Sequence, residues 1–261
     1  MDASLILALL LAVVVGVSLG LLGGGGSILT VPILSYVLGM PPREAIAASL
    51  FIVGVTSAVS ALGHARAGRV RWRLGLIFGA AGMVGAFAGG LLGGFIPGAV
   101  LMVLFAGMMI ATAIAMIRGR KQRENGTEPG AREGLPLTRI MLDGFLVGLA
   151  TGLVGAGGGF LIVPALNLLG GLPMAVAVGT SLLVIVMKSF AGLGGYLFSV
   201  QLDWVPVLAF TAFAVAGSFI GVRLAGMVPE RALRRGFGIF VLAMGAFVLV
   251  QEVPALIGGL T

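Results

Sequence analysis

One stretch of this chain is written twice. Gly23, Gly24, Gly25, Gly26, Ser27, Ile28, Leu29, Thr30, Val31, Pro32, Ile33 and Leu34 return as Gly155, Ala156, Gly157, Gly158, Gly159, Phe160, Leu161, Ile162, Val163, Pro164, Ala165 and Leu166. The offset of 132 residues between Pro32 and Pro164 then holds without a gap through Pro41/Pro173, Ser49/Ser181, Ser57/Ser189, Gly63/Gly195, Trp72/Trp204, Gly85/Gly217, Gly89/Gly221 and Pro97/Pro229. Roughly a third of the aligned positions from Gly20 to Pro97 are identical, which apolar composition alone does not produce. The chain is a duplication, and a functional site is expected where the copies meet.

Of the 261 residues, 59% are hydrophobic and 10% charged, with mean hydropathy +1.18. A soluble domain carries about a quarter charged residues, so most of this surface must face lipid. The 45 glycines lie inside apolar runs, where small residues let transmembrane helices approach closely. Cysteine is absent and there is one histidine, which excludes disulfides, thiolate metal sites and a histidine-only metal centre. No cofactor motif is present. The net charge of +7 is concentrated in short loops flanking apolar segments, the pattern of cytoplasmic loops rather than of nucleic-acid binding. Met1 to Ser4 lack the basic start of a signal peptide, so the first apolar run is expected to be retained.

Apolar runs near 5–22, 44–63, 74–96, 98–117, 139–156, 173–198, 204–227 and 236–250 each approach the length of a membrane span. Two shorter ones, 27–38 and 159–169, follow the glycine clusters and read as broken or re-entrant elements. The expected fold is an all-α polytopic membrane protein of two inverted repeats, each of about four spans plus a short re-entrant helix. The repeats cover 1–117 and 139–261, joined by a polar cytoplasmic linker at 118–138.

Charge sets the orientation. The loop from His64 to Arg73 and the linker are both basic and are placed in the cytoplasm. In the second copy the pattern reverses: Ser199 to Asp203 carry one acid and no base, whereas Pro229 to Arg235 are basic where Pro97 to Val103 are uncharged. The copies are therefore expected to face opposite ways, with both termini outside. Reaching an external loop at 199–203 from a cytoplasmic linker needs an odd number of crossings, so 139–156 and 159–169 must double back as a hairpin.

Glycine clusters ahead of helices expose backbone amides at the positive end of the helix dipole, a setting for anions. Gly24, Gly25, Gly26 and Ser27 in one copy, and Gly157, Gly158 and Gly159 in the other, are accordingly candidate contacts for a desolvated oxyanion. Neither cluster is a nucleotide fingerprint. No Lys-Ser or Lys-Thr follows, and Phe160 stands where a dinucleotide motif needs its third glycine. Ser49, Thr56 and Ser60 share one helical face, as do Ser181 and Lys188 in the other copy. Lys188 is the one lysine inside an expected span and corresponds to Thr56; a charge at that depth is a functional candidate. Ser49, Thr180 and Ser181 stand nearest the glycine clusters in sequence. Asn167, matching Ser35, either lines the cavity or ends a helix. Trp72 and Trp204 are read as interfacial anchors, His64 as a solvated charge, Asp143 as an acid at a helix start and Arg223 as a snorkelling base.

The apolar spans hold no serine-histidine-acid set and no carboxylate pair, so an enzyme is not expected. A monoanion leaving a negative interior gains about 2.3 kcal/mol per 100 mV from the membrane potential, which favours export without a coupling ion.

The two glycine motifs, with Gly179, Thr180, Ser181 and Leu182 after the second, resemble the TauE/SafE sulfite exporter family of bacterial inner-membrane permeases. The resemblance implies transport of sulfite, sulfoacetate or a related small sulfur-containing or organic anion, with the bilayer and that anion as partners; a homo-oligomer is compatible with it. Ala47, Ala48 and Ser49 stand in the first copy where Gly179, Thr180 and Ser181 stand in the second, so the copies need not bind alike. The alternative reading is a membrane assembly protein that moves nothing, against which the short external loops count.

Overall fold

A bilayer interior offers no hydrogen-bond partners for the backbone, so a chain this apolar must satisfy its peptide groups within helices. The computed structural model describes residues 3–24, 26–118, 137–155, 162, 174–224, 238–239 and 241–252. In chain order these form α1 (Ala3–Leu22), α2 (Ser27–Pro32) with a following π-helical turn (Ile33–Val37), α3 (Pro42–Arg66), α4 (Trp72–Gly93), α5 (Gly98–Arg118), α6 (Leu137–Val154), α7 (Met174–Tyr196) and α8 (Trp204–Leu224). A last helix, α9, covers Val241–Glu252. No strand occurs among the described residues.

Five helices, α1, α3, α4, α7 and α8, are long and apolar enough to cross a membrane. The protein is an all-helical, multi-pass membrane protein. Residues 119–136 of the expected linker and the short element at 159–169 lie outside the described residues, apart from Ile162, which is buried; Arg118 ends α5, and Leu137 and Thr138 open α6.

Local chemistry sets the helix ends. α3 opens with Pro42 at its first position and Glu44 in its first turn and closes with Arg66 in its last, charges that offset the helix dipole at both ends. Gly68, at φ +68, reverses the chain after α3. Asp203 Oδ1 accepts a hydrogen bond from Val205 N at 3.1 Å and so caps α8. Pro32 removes one amide from the short helix, and the wider π turn follows it.

The two longest helices form the centre. α3 and α7 bury 67% of their apolar windows, against 39% for α1 and α8, whose outer faces are left for lipid. α3 and α7 run in opposite directions: a Cβ on Gly54 would stand 3.3 Å from Ser189 Cβ, one on Gly192 would stand 3.3 Å from Leu50, and one on Gly179 would stand 3.2 Å from His64 Cβ. Around this pair, α4 packs on α6 and α7, and α1 packs on α8.

The outer contacts are glycine against backbone, and each occurs in two versions. Gly85 meets the Phe145 carbonyl and Gly217 the Val13 carbonyl; Gly89 meets Leu149 and Gly221 meets Val17; Gly148 meets Gly82 and Gly16 meets Ala214. Raising the first-half number of one contact by 132 and lowering its second-half number by 132 gives the other, so the two halves exchange roles. Without a hydrophobic drive between helices in lipid, such close backbone approach is what holds them together.

Several expectations change at this level. His64 is not a solvated charge: it lies inside α3 at 2% exposure, its Nε2 3.4 Å from Gly20 O, because α3 continues past it to Arg66. Its counterpart 132 residues on, Tyr196, is likewise buried and donates its hydroxyl to Leu153 O at 2.5 Å. Asp143 does not begin a helix, since α6 starts at Leu137 and has no acid in its first turn. Trp72 and Trp204 do open α4 and α8, 55% and 41% exposed. Arg223 is in the last turn of α8.

Candidate functional site

Two glycine turns organise the candidate site. Gly23 and Gly155 end α1 and α6 with φ of +76 and +71, a left-handed backbone that only glycine takes without strain. Each amide still closes the last helical turn, Gly23 N to Leu19 O at 2.9 Å and Gly155 N to Thr151 O at 3.0 Å. After the first turn the chain comes back along α1, placing Gly26 against the Val15 carbonyl, where a Cβ would stand 2.5 Å away.

Each turn is met by the long helix of the other copy. Ser49 Oγ, on α3, lies 2.6 Å from Gly155 O and 2.9 Å from Ile46 O, sharing one proton between two carbonyls. Ser181 Oγ, on α7, donates to Val178 O at 2.8 Å, and a Cβ on Gly23 would stand 3.0 Å from it. Both serines are wholly buried.

Lys188 is 1% exposed. Its Nζ donates to Thr151 Oγ1 at 3.2 Å. Thr151 spends its own proton on Val147 O at 2.7 Å and Gly148 O at 3.2 Å, so it faces the ammonium as an acceptor. The lysine stem lies in a slot left by Gly82 of α4, where a Cβ would come within 2.6 Å of Lys188 Cδ. No carboxylate among the described residues offsets the charge. Thr151 precedes Gly155 by one helical turn, about 5.4 Å of rise, so the ammonium sits beside the approach to the second glycine turn. The Lys188 amine thus has a single neutral hydrogen-bond partner and donor capacity to spare.

The sequence candidates therefore fall into separate groups. Ser49 and Lys188 gather near the second turn. Gly24, Gly26, Ser27 and Ser181 gather near the first, with Ser27 Oγ donating to Gly24 O at 2.7 Å. Thr180 belongs to neither, for its Oγ1 accepts the Arg71 amide at 3.0 Å, at the basic loop between α3 and α4. Thr56 is buried with its hydroxyl unpaired. Gly25, Gly157, Gly158, Gly159 and Asn167 lie outside the described residues.

The two described turns stand at different levels of α7, and Gly157 to Gly159, through which the second would reach toward the midplane, lie outside the described residues. On α7, Ser181 marks the first turn and Gly192, beside Leu50 and Gly152, marks the second; eleven helical residues separate them, about 16 Å. Sequence reading also missed Thr151 and Gly82. Thr151 corresponds to Leu19 and Lys188 to Thr56, so the duplication gives no hint of the pair. The one usable signal was a hydroxyl a single turn before a glycine cluster.

The family model described as "Sulfite exporter TauE/SafE" matches residues 8–248. A "probable membrane transporter protein" of Xylella fastidiosa (strain 9a5c) is 35% identical over 93% of this chain and 94% of its own. Similarly named proteins of Bacillus subtilis (strain 168), 27% identical over 93% of this chain and 99% of theirs, and of Methanocaldococcus jannaschii, 29% identical over 96% and 98%, also match. No solved structure matches.

Proposed function

The chain belongs to the TauE/SafE family of membrane transporters, and on that footing we propose that it carries a small oxyanion, of the sulfite or sulfonate class, across a bacterial cytoplasmic membrane. The observation that carries this reading is Lys188: a fully buried ammonium, lacking a described carboxylate, one helical turn from a glycine turn. Charge of that kind attracts an anion out of water.

In this reading the two halves, 1–117 and 139–261 with the linker at 118–138, are inverted repeats that exchange conformations to open the site to either side. Support comes from the antiparallel course of α3 and α7 and from glycine contacts that repeat with the halves interchanged. If the basic loop after α3 is cytoplasmic, α7 begins on that side, and Ser199 to Asp203 and both termini lie outside. Substrate contacts are assigned to Lys188, Ser49, Ser181 and the glycines of both turns, including Gly24 to Gly26 and Gly157 to Gly159. Ser27 and Thr56 are assigned supporting places around them, and Thr180, held by the Arg71 amide, is left out of the shell.

The test is flux. Purified protein in liposomes with an imposed, inside-negative potential should release labelled sulfite or a small alkanesulfonate, and millimolar amounts of the same anions should raise its melting temperature by mass action. Neither release nor stabilisation across such a panel would leave the alternative, a membrane assembly protein that moves nothing.

A further inference from the structure

Hydroxyls in apolar helices ordinarily return their proton to the carbonyl three or four residues back. Most here do: Ser60 to Thr56 O at 2.9 Å, Thr112 to Met108 O at 2.8 Å, Thr211 to Val207 O at 2.6 Å and Ser218 to Val215 O at 2.8 Å. Thr30, Thr56, Ser57 and Ser189 do not, and of these only Ser57 and Ser189 correspond to each other through the repeat. Both are at 0% exposure, and neither Oγ has a hydrogen-bond partner.

Their position is as unusual as their lack of partners. They correspond through the 132-residue offset, and each adjoins the other pair of interest, Thr56 and Lys188. Ser189 packs where α3 and α7 cross, 3.3 Å from where a Cβ on Gly54 would be. Ser57 is on the same face of α3, one turn along from Gly54. Each serine is eight residues beyond the serine that meets a glycine turn, Ser49 or Ser181, about 12 Å of helix. The unpaired hydroxyls thus stand between the two turns, which are themselves too far apart for one small anion to touch.

Two unpaired buried hydroxyls in the central seam of a protein are a cost unless something bonds to them. We propose that Ser57 and Ser189 form a transfer site, donating one hydrogen bond each to the oxygens of an oxyanion as it passes from one glycine turn to the other beside Lys188. This rests on the anion-transport reading above. A pair contributed equally by both halves can hold the solute through an exchange of conformations, because neither half loses its ligand when the other moves.

The test uses the full chain in liposomes with labelled sulfite. Each hydrogen bond to a charged ligand is worth about tenfold in affinity, so Ser57→Ala and Ser189→Ala should each lower flux at limiting sulfite about tenfold, and the double variant further. Melting should hold or rise, since an unpaired polar group has been removed; a merely structural pair would lower it and leave flux per folded molecule unchanged. Because the chain has no cysteine, Ser57→Cys and Ser189→Cys can be probed with a sulfonate-bearing methanethiosulfonate. Both should react and be protected by methanesulfonate, which attacks neither the reagent nor the mixed disulfide, while Ser218→Cys, at the α1–α8 contact, should not react. Wild-type flux in the double alanine variant, or unreactive thiols at both positions, would overturn the transfer site while leaving transport intact. Absence of flux and of anion stabilisation in the wild-type protein would instead overturn the transport reading and this proposal with it.

Discussion

Replacing Lys188 by methionine should abolish anion transport without unfolding the protein. The side chains are similar in length, so the slot beside Gly82 stays filled, and what disappears is the ammonium facing Thr151. Removing one member of a buried charge pair costs about 3–5 kcal/mol, which for the bound anion is a loss of about two to four orders of magnitude in affinity, and flux at limiting sulfite should fall by at least about a hundredfold. The empty protein should respond in the opposite sense. An ammonium with one neutral acceptor is expensive to bury, so the variant should melt at the same temperature or higher, and added sulfite should no longer stabilise it. Lys188→Arg should not rescue transport, because the bulkier guanidinium must enter a slot already closed to a methyl group at Gly82. Near-normal sulfite flux in Lys188→Met would remove the lysine from the site.

The second large effect is on stability. Gly85→Leu and Gly217→Leu each place a side chain against a backbone carbonyl of the neighbouring helix, Phe145 or Val13. Backbone cannot move aside as a flexible side chain can, so the helices must separate. Overpacking of this kind costs about 3 kcal/mol or more, since the close approach is also what holds the helices together in lipid. Thermal unfolding in detergent should show both variants strongly destabilised and to a similar degree, as expected of two versions of one contact. Gly107→Leu is the matched control: it lies on α5 with nothing within 4 Å of a Cβ and should melt like the parent. A large loss from Gly85→Leu with none from Gly217→Leu would argue that the two packings are not equivalent.

Much of this architecture is legible before any coordinates. The repeat, the positions of α1, α3, α4, α7 and α8, and the short element after the first glycine cluster follow from hydropathy and from glycine and proline breaks, because lipid leaves a backbone few options. Residues whose role depends on which helix face meets which neighbour were not legible. His64 has arginines at positions 66, 69, 71 and 73 around it, which suggested water, yet the helix carries it inward to Gly20. Thr180 sits next to Ser181 in sequence but turns to the Arg71 amide. Thr151 and Lys188 face each other at positions where the duplication has diverged, so comparing the copies conceals them. Ser57 and Ser189 were visible as a matched pair; that both hydroxyls lack a carbonyl partner is a property of the folded helices and was not.

Sidedness tests the opposed orientation of the two halves most directly. Single cysteines at Arg66, exposed at the end of α3, and at Asp203, exposed before α8, can be introduced into a chain that has none and treated in intact cells with a thiol reagent that does not cross membranes. Asp203→Cys should label at once and Arg66→Cys only after the cells are permeabilised. Labelling of both, or of neither, in intact cells would place the two corresponding loops on the same side and contradict an inverted pair.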